Sequence, residues 1–236
     1  MMKKRLLFVG VMLLACGSYA APALADLLLY DWAVNIDGTV SDIGLSLDPV
    51  PSGVDASVFD TGTGLGVLTV TVTEPGDHFV SLFVDHELSQ ATNTYWNEYG
   101  EAVGTPAAGQ TWEIDEPGWV FGDIYMNLQD SGPSGSFLDN ANAVPAGSEN
   151  DVSMAIGWNF TIPDLGGGQW AEVAFSLGMT APGGFYLAQY DPDSAEAVYF
   201  SSALDVVPLP GAVLLGALGL GTAGGLVGRF QRRTQK

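Results

Sequence analysis

The chain has 236 residues, a formal net charge of −20 and a mean hydropathy of +0.23. All seven Lys and Arg residues lie at its two ends, while all 27 Asp and Glu residues fall between Asp26 and Asp205. A middle domain without Lys or Arg cannot neutralise phosphates, which excludes nucleic acid and anionic lipid as partners. It also excludes a lysine Schiff base, a lysine-derived cross-link and an arginine phosphate clamp.

Taken from the front, Lys3, Lys4 and Arg5 precede an apolar run, Leu6 to Ala15, and then small residues ending at Ala23-Leu24-Ala25. That order predicts a secretory signal helix over residues 1–25, read by the Sec export machinery and cut at the A-x-A site so that Asp26 becomes the N-terminus. Ala20, behind Ser18-Tyr19, offers a second cleavage site. Leu13-Leu14-Ala15-Cys16 approximates a lipobox that would acylate Cys16, although Leu14 is bulky for its position there. Cleavage before Asp26 removes the one cysteine. Residues 26–206 then form an acidic exported domain that stands on packing without disulfides.

Within that domain Leu68, Val70 and Val72 alternate with Thr69, Thr71 and Thr73, a period of two that predicts a half-buried strand. After Pro75-Gly76-Asp77, the run Phe79 to Val84 follows at hairpin distance and is apolar at nearly every position, which predicts a central strand. Further strands are predicted over Leu28–Ile36, Trp119–Leu128, Val152–Ile162, Trp170–Leu177, Phe185–Tyr190 and Ala197–Ser201. Helical periodicity is absent between the two ends, and 129–150 reads as a long surface loop. These elements predict an all-β antiparallel sandwich of jelly-roll or immunoglobulin-like type.

Asp85-His86-Glu87 sits on a strand, so Asp85 and Glu87 share a face and His86 points the other way. No helical H-E-x-x-H spacing supports a zinc site. Carboxylates can hold Ca²⁺; the local candidates are Asp191, Asp193 and Glu196, then Asn35 to Gly38. Neither has the ligand spacing of an EF-hand loop. Beyond calcium, the residues point to no cofactor. Trp96, Tyr95 and Tyr99 crowd a predicted loop, Asn93 to Gly104, where rings beside acids suit sugar binding; Trp112 and Trp119 are expected to fill the core. A hydrolytic pair of carboxylates is a third possibility that so many acids render unspecific. No residues form a recognisable catalytic set.

At the far end, Val207-Pro208-Leu209-Pro210 runs into the uncharged stretch Gly211 to Gly228 and then Arg229, Arg232, Arg233 and Lys236. As a helix, the stretch reaches about 27 Å, enough to cross a bilayer. The basic residues behind it place the C-terminus in the cytoplasm and the domain outside. Pro208 and Pro210 predict extended backbone open to a processing enzyme at residues 207–210.

Motif, span and basic end together resemble the PEP-CTERM family of bacterial sorting tails, and most closely its Val-Pro-Leu-Pro-Ala subset, with Gly211 in place of the alanine. The resemblance implies handling by an exosortase in a Gram-negative bacterium that makes exopolysaccharide. It also implies passage through an inner-membrane intermediate to the cell surface or extracellular matrix. The strands around Trp158-Asn159-Phe160-Thr161 and Ala171 to Leu177 look like a pair of the kind found before such tails. The function expected is that of an exported non-enzymatic surface protein, with a carbohydrate-binding module as the alternative and a secreted glycoside hydrolase third.

Overall fold

The computed structural model describes residues 27–89, 93–135, 138–165 and 168–207. They form two antiparallel sheets packed face to face, with one short helix on the outside. Sheet A has the order β2-β1-β5-β8-β7, from β1 (Leu27–Ile36), β2 (Thr39–Asp42), β5 (Gly76–Leu88), β7 (Gln110–Asp115) and β8 (Ser153–Ile162). Sheet B has the order β3-β4-β9-β11-β10-β6. Its strands are β3 (Val54–Asp60), β4 (Leu65–Val72), β6 (Tyr99–Val103), β9 (Trp170–Gly178), β10 (Tyr186–Tyr190) and β11 (Ala197–Val207).

Alternation explains the core. Val80, Leu82 and Val84 of β5, Met154 and Ile156 of β8, and Val173 and Phe175 of β9 point between the sheets and are fully buried. Each such side chain contributes about 1.5–3 kcal/mol by leaving water. β5 is buried on both faces because a second cluster covers the outside of sheet A. There Ala33, Phe83 and Ala155 meet Ile124 and Leu128 of helix α1 (Ile124–Asp130) and Leu138 of the following loop. Asn35 fixes the end of that helix, its Nδ2 donating to the carbonyls of Leu128 at 2.6 Å and Ser131 at 2.9 Å.

Several expectations are corrected. Residues 119–128 are a loop and helix α1, not a strand. Ile124 and Leu128, one helical turn apart, are buried while Met126 is exposed, a period masked by the apolar loop before it. Asn93 to Gly104 is not loop throughout, since Tyr99–Val103 form β6 against β10. β4 and β5 are no hairpin: they pair with β9 and β8 in different sheets, and Pro75-Gly76 turns the corner between sheets. β8 and β9 likewise lie in different sheets and do not pair with each other. Asn35 to Gly38 is a hairpin turn, with Ile36 opposite Thr39 and Asp37 and Gly38 at φ 54° and 85°. Asp-Gly is the residue pair that such a two-residue turn requires.

The register orients the domain. Val207 pairs with Trp170, and Gly76 with Ile162, so the described chain ends where β5 begins. Leu27 pairs with Leu88, where β5 finishes. From Gly76 to Glu87 a strand covers roughly 35 Å. Among the described residues no helix is long and apolar enough to cross a membrane.

Candidate carboxylate pocket at one end of sheet A

Beyond the cover of α1, the outer face of sheet A continues into a cavity of about 410 Å³. Its carboxylates are Asp85 and Glu87 of β5, Glu116 just after β7, and Asp151 just before β8. The ladder brings them together. Asp85 and Asp115 both pair with Ser153, so the neighbouring acids two residues or fewer away cluster at the same end of three adjacent strands. His86 points into the core and is fully buried, which pushes its imidazole down to about 4.

The rim is aromatic: Tyr30, Tyr95, Trp96, Trp119 and Phe121 are all exposed in part, Trp96 by 48 %. Tyr30 arrives through a bulge between Leu29 and Asp31. The extra residue reverses the alternation, with Leu29 and Trp32 facing inward and Tyr30 turned to the outside. Tyr95 and Trp96 lie ring to ring at 4.5 Å and 39°. Trp119 packs on Tyr125 of α1 at 4.9 Å, and Tyr125 meets the edge of Phe83 at 5.5 Å.

The wall that carries Trp119 and Phe121 is fixed at its base. Gly118 N donates to Phe121 O at 2.9 Å and Asp123 N to Asp115 Oδ2 at 2.7 Å. Gly122 has φ +77°, and a Cβ there would strike the carbonyl oxygen of Glu116. Only glycine meets both demands at low cost.

Residues 27–207 contain no Lys or Arg to set beside these acids. Among the described residues the one ion pair is His78 with Asp37 at 2.8 Å, at the other end of β5. Burial pushes the Asp85 carboxyl well above the usual carboxylate range, helped by the charges of Asp151, Glu87 and Asp31. Ser153 Oγ donates to Asp85 at 3.0 Å, which only partly offsets this. Asp151 is pushed up to about 7 by burial, then by Glu87 and Glu116; its Oδ1 is buried with no hydrogen-bond partner. Glu116 is raised by burial and by Asp115.

The expected sugar-binding residues separate. Tyr95 and Trp96 belong to the pocket, whereas Tyr99 lies on the outer face of sheet B, stacked on Tyr190 at 5.0 Å and 21°. Trp119, expected in the core, is a pocket wall, while Trp112 packs against the core from its edge. Asp191, Asp193 and Glu196 form a turn in which each carboxylate accepts from a protein donor, while Asp191 Oδ2 is buried without one. Asp193 N donates to Asp191 at 2.8 Å, Asn97 Nδ2 to Asp193 at 2.9 Å and Ser89 Oγ to Glu196.

Among the described residues only Glu113, Asp115 and Asp123 bring three ligand groups within 4.8 Å of one another. They too are held from within, Glu113 by Asn127 Nδ2 at 2.9 Å and Asp115 by the backbone of Asp123. Val207, half-buried, ends β11 in register with Trp170. Ala23, Ala25, Asp26, Cys16, Pro208, Leu209, Pro210, the apolar stretch and Arg229, Arg232, Arg233 and Lys236 lie outside the described residues.

No protein-family model, no curated protein and no solved structure matches the chain.

Proposed function

We propose that this is an exported, non-enzymatic protein of the bacterial surface or extracellular matrix, sorted by an exosortase through residues 207–236, and that its sandwich recognises a saccharide of the surrounding exopolysaccharide. The observation that carries the saccharide half is the pocket, in which exposed aromatic faces overhang a concavity floored by carboxylates. Pyranose rings stack on aromatic faces while their hydroxyls donate to carboxylates. The volume falls within the range of about 300–1,000 Å³ usual for small-ligand sites. Support for export and sorting is the sequence of the two ends, with the Lys and Arg confined to them.

The proposal places the sandwich with the jelly-roll type found among lectins, rather than the immunoglobulin-like type. The connections β2–β3, β4–β5, β5–β6, β6–β7 and β8–β9 each pass from one sheet to the other, which favours this assignment. Because the chain runs toward its tail from the opposite end of the sandwich, a retained or conjugated tail would hold the pocket away from the membrane.

A glycan array probed with residues 27–207 tests the binding half. Binding that is lost with Trp96→Ala and kept with Tyr99→Ala is expected; binding indifferent to Trp96, or absent, contradicts it. Terminal-peptide mass spectrometry on protein from its own cells tests the sorting half. An extracellular form ending near Pro210 is expected, and a membrane form still ending at Lys236 contradicts it. A hydrolytic reading draws on the same pocket, since Asp85 and Asp151 hold protons more tightly than ordinary carboxylates, as a general acid must. Release of reducing ends from a bound polysaccharide would favour that reading over simple recognition.

A further inference from the structure

We propose that the domain carries a second saccharide site, a cleft without charged groups beside β11, in which the Ser202 hydroxyl donates to an oxygen of a neutral sugar. This rests on the saccharide reading of the domain but not on the carboxylate pocket. β10 pairs with β11 only from Ala197 to Phe200, while β9 follows β11 as far as Val207. Past Phe200 a cavity of about 480 Å³ opens beside β11. The loop after β6, with Thr105 and Ala107, and the loop before β10, with Phe185, wall it.

Trp158 of β8 and Gln110 of β7 lie opposite each other in register and reach across from sheet A to Ser202 on sheet B. Trp158 Nε1 donates to Ser202 Oγ at 2.8 Å, and Gln110 Nε2 donates to the same oxygen at 3.0 Å. The Gln110 amide cannot be turned round, because its Oε1 accepts from Ala107 N at 3.0 Å. An indole nitrogen can only donate. Both lone pairs of the Ser202 hydroxyl are therefore taken, and its proton is left to find an acceptor. Among the described residues Ser202 Oγ accepts these two bonds and donates none. Two N–H dipoles aimed at the oxygen also polarise its O–H into a stronger donor.

The rest of the lining selects the ligand. No charged side chain among the described residues borders this cavity, so nothing there holds a metal ion or an ammonium group. Ser176 and Ser201, opposite each other in register, and Thr105 supply hydroxyls that both donate and accept. Phe185 and Leu204, both half-buried, supply apolar surface. Hydroxyls of either role beside an apolar face suit a pyranose, and the volume lies in the range of about 300–1,000 Å³ usual for small ligands. Trp158 stands five residues along β8 from Ser153, roughly 17 Å from the carboxylate end. Two sites so separated can hold two glycan segments at once.

The test is proton–nitrogen NMR of the full chain, labelled at its six tryptophans and titrated with neutral tetrasaccharides of glucose, galactose and mannose, then with an uncharged strand-forming peptide. The expected result is that a sugar moves the Trp158 indole signal, which reports on the bond to Ser202, in the Trp96→Ala variant as well as in the parent. Ser202→Ala should weaken that binding about tenfold, the worth of one hydrogen bond. Ser201→Trp fills the cleft from the outer face of sheet B, leaves Trp158, Gln110 and Ser202 in place, and should abolish it. A Trp158 response undiminished in both variants overturns the site. If no sugar moves Trp158 while Trp96 responds, the second site falls and the carboxylate pocket stands; if neither responds, the saccharide reading falls with it. A Trp158 response alone upholds the cleft and removes the carboxylate pocket as a sugar site. A peptide that moves Trp158 where no sugar does overturns the sugar in favour of strand addition to β11.

Discussion

At the carboxylate end of sheet A the rings of Tyr95, Trp96, Trp119 and Phe121 project around a cavity, whereas on the outer face of sheet B four tyrosines lie against one another. Tyr99 stacks on Tyr190, and Tyr199 meets the edges of Tyr186 at 5.7 Å and Tyr190 at 6.2 Å. Both regions would look alike in a count of aromatic residues. The difference lies beneath and between the rings. Sheet B's four tyrosines pack on one another beside Glu101, while the pocket's rings, Tyr95 and Trp96 ring to ring at 4.5 Å among them, border a cavity floored by carboxylates. A recognition site needs a concavity in which apolar faces and polar groups converge.

Removing the support under the pocket should have the largest effect. Phe83→Ala empties the seat of α1 and should cost about 3–5 kcal/mol in a denaturant melt. It should also weaken saccharide binding, because Trp119 rests on Tyr125 and Tyr125 on Phe83. Loss of stability with binding unchanged in the remaining folded protein would separate the rim from the helix.

Gly122→Ala should come next, costing about 1–3 kcal/mol through the strain of a left-handed backbone and displacing the wall at Glu116. A fully stable variant with intact binding would show that the wall is not fixed there.

Acidity distinguishes the carboxylate end from the rest of the surface. Asp31 is pushed up to about 6 by burial and Asp42, Glu113 to about 7 by burial, Asp151 to about 7 and Glu98 to about 9 by burial. In the unfolded chain such groups titrate near 4. Folded-state values that are raised stabilise below the unfolded value, and that stabilisation is lost as pH rises through the folded one. Asp42 opposes this. Burial alone would raise it, but Ser46 and Leu45 donate to its carboxylate and hold it below the ordinary value, so its contribution disappears in acid. The melting temperature should accordingly peak near pH 4–5 and fall by about 10 °C toward pH 9. A flat profile would mean that the acids are compensated by something other than protons.

The smallest effects come from single charges. Asp151→Asn keeps the shape and removes a repelling charge, and should stabilise the protein by about 0.5–1 kcal/mol at pH 8, discounted for solvent screening. Asp205→Asn on the exposed face of sheet B should change it by less than about 0.5 kcal/mol. Equal responses would erase the contrast between the two regions.

Much of the frame is legible from alternation. β1, β4, β8, β9 and β10 stand close to where their apolar patterns place them, and β5 is central as its doubly apolar run demands. β2, β3, β6 and β7 are short or polar edge-side strands with little hydrophobic signal. Of these only β2 left a cue, the Asp37-Gly38 turn. Residues 119–128 mislead because an apolar loop that lines a pocket and one short amphipathic helix together imitate a strand. Asp85 and Glu87 sharing a face follows from spacing alone. Their meeting with Asp151 and Glu116 does not, because the sequence separates them by tens of residues and only the β5–β8–β7 ladder joins them. Tyr30 turns outward through a bulge that nothing in its neighbours announces.

A crystal structure of residues 27–207 with the tightest-binding oligosaccharide tests the central claim most directly. The account predicts a sugar ring against Trp96, with its polar groups reaching Glu87 and Asp151. A sugar lying instead across Tyr99, Tyr186 and Tyr190 of sheet B would contradict it.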